Sequence, residues 1–87
     1  VPTQGHTHNH CSVLFKTDKE HILFAGDTSY NQQQLTDNAF SASNINIKQS
    51  QETYQMIKNY AAKYQTIYLP SHDHFAGRRL LNREILV

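Results

Sequence analysis

The chain has 87 residues, 17% of them charged, and a formal net charge of +1 with no basic or acidic block. That length allows one small domain with a limited core. That charge speaks against nucleic acid or an anionic membrane surface as the main partner. No apolar run approaches the roughly 20 residues of a membrane span, and no basic, apolar leader pattern opens the chain. Cys11 is the single cysteine, so no intrachain disulfide can form and a cytoplasmic location is expected. Val1 is not an initiator methionine, so a start inside a longer protein is expected.

Val1 to His10 reads as the end of a strand and a histidine-rich loop, because Pro2 and Gly5 oppose a helix. Cys11-Ser12-Val13-Leu14-Phe15-Lys16 is predicted to be a strand and Thr17-Asp18-Lys19-Glu20 a turn. His21 to Ala25 is then predicted to pair back as an antiparallel hairpin. Both runs are apolar on both faces, so the sheet should be covered on each side. Asn31 to Ser43 reads as a polar surface loop with a helical turn, anchored by Leu35, Ala39 and Phe40.

Asn46 is a good helix cap with Gln49 in the capping-box position. Ile47, Tyr54, Ile57, Ala61 and Tyr64 recur at helical spacing and predict one buried stripe on a long helix. Thr66-Ile67-Tyr68-Leu69 is predicted to be a strand that Pro70 ends. Ser71-His72-Asp73-His74 is then a loop at that strand's tip. Phe75 to Arg83 is predicted to be a short helix with Leu80 and Leu81 inward. Arg78 and Arg79 are expected to be solvated or to partner carboxylates. Ile85-Leu86-Val87 should pack somewhere.

The stretch from Ile22 to Tyr30 organises the chemistry. A buried strand runs into Gly26, which allows a sharp turn, and Asp27 then sits at the strand tip. His6 and His72 occupy polar loops next to other strands. If the three strands lie side by side, these loops meet at one edge. Imidazole and carboxylate are ligands for zinc, iron or manganese, so the three could hold one divalent ion or part of two. The alternative is a set of surface histidines in polar loops. His8 and His10 alternate with His6 and would share a face only in an extended segment. Tyr30 could polarise a carbonyl or donate a proton beside a metal, or be a half-buried loop aromatic.

Three segments resemble the metallo-β-lactamase superfamily. Gly5-His6-Thr7-His8-Asn9-His10, with Cys11-Ser12-Val13-Leu14, is similar to its G-H-T-P-G-H-x-S-x-x-L segment. Leu23-Phe24-Ala25-Gly26-Asp27-Thr28 is similar to its F-x-G-D-T segment. Leu69-Pro70-Ser71-His72-Asp73, with Ala76-Gly77-Arg78-Arg79-Leu80, resembles the last histidine loop of the N-acyl homoserine lactonase-like branch.

The resemblance implies an α/β fold: the C-terminal half of an αβ/βα sandwich, with a mixed sheet, an antiparallel hairpin, a helix-linked strand, and one long and one short helix. It implies that His6, Asp27 and His72 are metal ligands, with Asp27 bridging two zinc ions. It places Tyr30 beside the substrate carbonyl. His10 and Asp73 match positions that orient ligands rather than bind metal. Such enzymes open an ester, lactone or amide carbonyl with metal-activated water.

The family's H-x-H-x-D-H signature, which supplies the larger share of the ligands, is absent from residues 1–87. His8 and Asn9 stand where the family usually has Pro-Gly. The chain is therefore expected to be one incomplete domain, to hold zinc weakly or not at all, and to be inactive alone. Its expected partner is the N-terminal half or a second copy of itself. The other expectation is a non-catalytic half-domain that self-associates through its bare apolar face.

Overall fold

The Ile22–Ala25 run forms the middle of a three-stranded sheet in the computed structural model, which describes residues 1–40 and 45–86. Its elements are β1 (Val13–Lys16), β2 (His21–Gly26), α1 (Gln32–Thr36), α2 (Ile47–Lys63), β3 (Thr66–Pro70) and α3 (Ala76–Asn82). The strand order is β1-β2-β3. β1 runs antiparallel to β2, with Val13 opposite Phe24, and β3 runs parallel to β2, with Ile22 opposite Ile67. The sheet is therefore mixed, and α1 and α2 lie in the connection between the parallel pair. The expected hairpin, helical turn, long helix, third strand and short helix are all present. The end of the predicted polar loop, 41–43, lies outside the described residues, as does Val87 of the terminal apolar run.

Side chains alternate across each strand, so the register sorts the sheet into two faces. On one face Leu23, Ala25 and Tyr68 are buried against Tyr54 and Ile57 of α2, Leu35 of α1, and Leu86. The other face carries Val13, Phe15, Ile22 and Phe24. The expectation of cover on both sides fails there: Val13 is 66% exposed, Phe15 55% and Phe24 45%. α3 is too short to reach across the sheet and packs against β3 instead.

Asn46 caps α2 as its sequence position suggests, its side chain accepting from Gln49 N–H at 3.0 Å. The capping box is one-sided, because Asn46 N–H donates to Gly5 O at 3.1 Å rather than to Gln49. The predicted stripe is also shifted. Tyr54 and Ile57 are buried, but its ends, Ile47 and Tyr64, are exposed. Ser50 and Thr53 take the inner positions near the start of α2, because the Gly5 loop packs there and leaves room only for small side chains.

α3 also differs from expectation. Leu80 and Leu81 face outward, and Arg79 is the buried residue, at 6% exposure. Its guanidinium donates to Tyr68 O at 3.0 Å and to Asp73 Oδ2 at 2.8 Å. A charge with those two partners lies inside more favourably than a leucine that would leave the carboxylate alone. Arg83, in the left-handed conformation that ends α3, reaches Glu20 with Nε at 2.8 Å. The hydrogen bond from Arg83 holds Glu20's carboxyl below its ordinary value, against the opposing effect of burial.

Candidate metal centre

Two chain reversals bring the site together. β2 ends at Gly26 with φ +54°, a left-handed turn that suits glycine. Ser71 N–H donates to Gly26 O at 2.8 Å, which ties the loop after β3 to the tip of β2. The parallel pairing of β2 and β3 thus delivers Asp27 and His72 to the same edge. The His6 loop reaches that edge differently. Gly5 has φ +134°, and Ile45 N–H donates to His6 O at 3.3 Å, so the entry into α2 clamps the loop from behind.

The three expected ligands converge. His6 Nε2 lies 3.6 Å from Asp27 Oδ2, and His72 Nε2 lies 3.1 Å from Asp27 Oδ1. Each carboxylate oxygen faces a different imidazole. All three side chains keep access to solvent, at 28%, 42% and 55% for His6, Asp27 and His72.

The donor chemistry suits a divalent ion such as zinc, which binds imidazole nitrogen and carboxylate oxygen at about 2.0–2.2 Å. The number of donors does not complete a site, because zinc takes at least three protein ligands around one centre. Here each imidazole is closed onto its own oxygen. Among the described residues, no group of three or more His, Cys, Asp or Glu side chains is arranged to hold a metal ion. The trio alone therefore does not make up a complete site.

The other candidates surround this trio. Tyr30 is exposed and its ring stacks on His72, centroids 5.1 Å apart and planes within 7°. Asp27 N–H donates to His10 Nε2 at 3.0 Å, and the opposite ring nitrogen of His10 lies on Thr3. Both His10 nitrogens are engaged with protein, and through Nε2 His10 holds the Asp27 turn. His8 is exposed, and the loop's bends remove the extended geometry that would have aligned it with His6.

Asp73 anchors the second loop. It accepts from Gln32 N–H and Arg79 through Oδ2 and from Phe75 N–H through Oδ1, each at 2.8 Å. Burial pushes its carboxyl up, but these hydrogen bonds and the guanidinium charge outweigh that and hold it below the usual range. His21 lies at the other end of β2, bonded to the Tyr60 hydroxyl and stacked on Tyr64. There it packs on the end of α2, away from the trio.

Sequence reasoning missed Thr3, Ser12 and Thr28, buried hydroxyls behind Asp27. Their only signal was three small polar residues in otherwise apolar or strand-tip positions. It also missed a cleft of about 280 Å³ beside the trio, lined by Tyr30, Gln32, His72, His74, Phe75 and Arg79 among others.

No family model matches the chain, and no curated protein does. Solved structures do. An N-acyl homoserine lactone hydrolase, with the product N-hexanoyl-L-homoserine at its catalytic metal centre, aligns with a TM-score of 0.78 at 22% identity. The alignment covers 90% of this chain and 31% of that one. AbOPH, a hydrolase of the beta-lactamase superfamily, aligns with a TM-score of 0.67 at 28% identity, over 88% of this chain and 27% of that one. The chain thus spans less than a third of the length of these proteins. It has the mixed α/β fold of part of a metallo-β-lactamase-type hydrolase, as its three motifs implied.

Proposed function

We propose that this chain supplies one share of the metal centre of a hydrolase that opens small esters or lactones, and that it is inactive by itself. The observation that carries the reading is the Asp27 carboxylate, with His6 Nε2 on one oxygen and His72 Nε2 on the other. Asp27 and the two imidazoles would hold zinc, with further ligands coming from a complementary segment or chain. A bound divalent ion acidifies water and polarises a carbonyl. Tyr30, stacked on His72 and exposed beside the adjacent cleft, would donate a hydrogen bond to a carbonyl oxygen bound there.

Zinc titration of the purified chain tests this. Weak binding that Asp27→Asn removes and His6→Ala or His72→Ala lowers at least tenfold is the expected result. Unchanged binding in Asp27→Asn overturns the ligand assignment. Lactone turnover by the chain alone is expected at background, and turnover above it that Asp27→Asn abolishes overturns the inactivity.

The bare apolar face favours a second reading, a non-catalytic half-domain that self-associates. Exposed Val13, Phe15 and Phe24 cluster on one side of β1 and β2, and β1 is an edge strand. Light scattering separates the two: a monomer at high concentration removes this reading.

A further inference from the structure

A run of hydroxyls behind Asp27 has one direction only. Asp27 N–H can only donate, and its partner is His10 Nε2 at 3.0 Å. That nitrogen therefore carries its lone pair, and the ring proton of His10 sits on Nδ1. Nδ1 faces Thr3 Oγ1 at 3.0 Å and Thr3 O at 3.1 Å. Thr3 Oγ1 lies 2.7 Å from Ser12 Oγ, which lies 3.4 Å from Thr28 Oγ1. Thr28 Oγ1 donates to Ala25 O at 2.7 Å.

A carbonyl only accepts, so both ends of the run are fixed. Traced back from Ala25, Thr28 accepts from Ser12 and Ser12 from Thr3, while Thr3 Oγ1 shares the His10 Nδ1–H with the Thr3 carbonyl. The run leaves the β2 tip at Asp27 and returns to it at Ala25, closing a ring around Gly26. Thr3, Ser12 and Thr28 are 1%, 4% and 3% exposed, so water does not substitute for a lost member. Aligned hydrogen bonds in such a setting strengthen one another.

We propose that Thr3 is a positioning residue for the Asp27 site: it closes this ring and keeps His10 in the Nδ1–H form that accepts from Asp27. The consequence for metal binding rests on the reading of Asp27 as a ligand. The ring itself does not. Thr3 is not itself a candidate ligand and precedes His6 in the same N-terminal segment. It is held in place by Thr3 N–H donating to His10 O at 2.9 Å.

Nitrogen-15 NMR of the His10 imidazole and of the Asp27 amide in the full chain tests the proposal. The wild type should show the Nδ1–H tautomer, and an Nε2–H tautomer overturns the proposal without any variant. Thr3→Val should shift the Asp27 amide resonance and raise its exchange rate at least tenfold, and Thr3→Ser should restore both. His10→Gln, whose side-chain oxygen can stand where Nε2 does, should keep the Asp27 amide protected, whereas His10→Ala should not. An Asp27 amide unchanged in Thr3→Val overturns the proposal. If the wild type binds no zinc, the metal reading fails while these amide and tautomer results still decide the role of Thr3.

Discussion

Gly5 lies against the first turn of α2 so closely that a Cβ there would come 2.6 Å from Ser50 N and 2.7 Å from its Cα. Backbone is what it would meet, so no rotamer change can relieve the contact. Its φ of +134° is also one that side chains rarely adopt. Gly5→Ala should therefore destabilise the chain by about 3 kcal/mol, combining backbone strain with overpacking. Urea unfolding measures the loss, and weaker zinc binding should accompany it because His6 follows Gly5 directly.

Gly26 and Gly77 should respond in opposite directions to the same change. A Cβ on Gly26 would come 3.1 Å from His10 Nε2, at φ +54°. Gly26→Ala should cost about 1–2 kcal/mol for the left-handed conformation and loosen the Asp27 turn. Gly77 lies within α3, and nothing stands within 4 Å of its absent Cβ. Gly77→Ala should stabilise by about 0.5–1 kcal/mol through helix propensity and the unfolded chain. Thermal unfolding of the two variants side by side is the check.

Acid should weaken the fold through Asp73. Its folded carboxyl titrates below the unfolded value of about 3.9, so its stabilising contribution is fully present above that pH. The contribution is lost as pH falls from about 4 through the lower folded value. Asp73→Asn should remove this part of the acid dependence. At pH 7 it should cost about 3 kcal/mol, because Arg79 is left buried beside a neutral partner. Denaturant midpoints at neutral pH and at pH 3 measure both effects.

Charge on the bare face should separate association from folding. Phe24 pairs with Val13 across the hairpin, and both are exposed. Phe24→Lys should leave the unfolding midpoint within about 0.5 kcal/mol of wild type, as for other exposed sites. It should also abolish any concentration-dependent mass. Light scattering at two concentrations, with circular dichroism as the folding control, gives the answer.

The elements with local signals were legible in the sequence. Asn46 announces α2, Gly26 announces the end of β2, and the spacing of Tyr54 and Ile57 announces the inner face. The convergence of His6, Asp27 and His72 was legible through the order of strands, since each residue sits at a strand tip. The failures share a cause. Whether Arg79 or Leu80 turns inward depends on a carboxylate in another loop, and no periodicity over a seven-residue helix reports that. The hydroxyls of Thr3, Ser12 and Thr28 are related by position in space, not by any repeat along the chain.

The mixed strand pairing sets an order of assembly. Asp27 follows a hairpin strand whose partner is close in the chain, so its surroundings form through short loop closure, within microseconds for a typical hairpin. His72 follows β3, which meets β2 only after the long excursion through α1 and α2 has closed. Distant parallel pairings are the slow step in small mixed proteins. The second imidazole therefore arrives last, and a cation that needs both would be recruited only by chains that have finished folding.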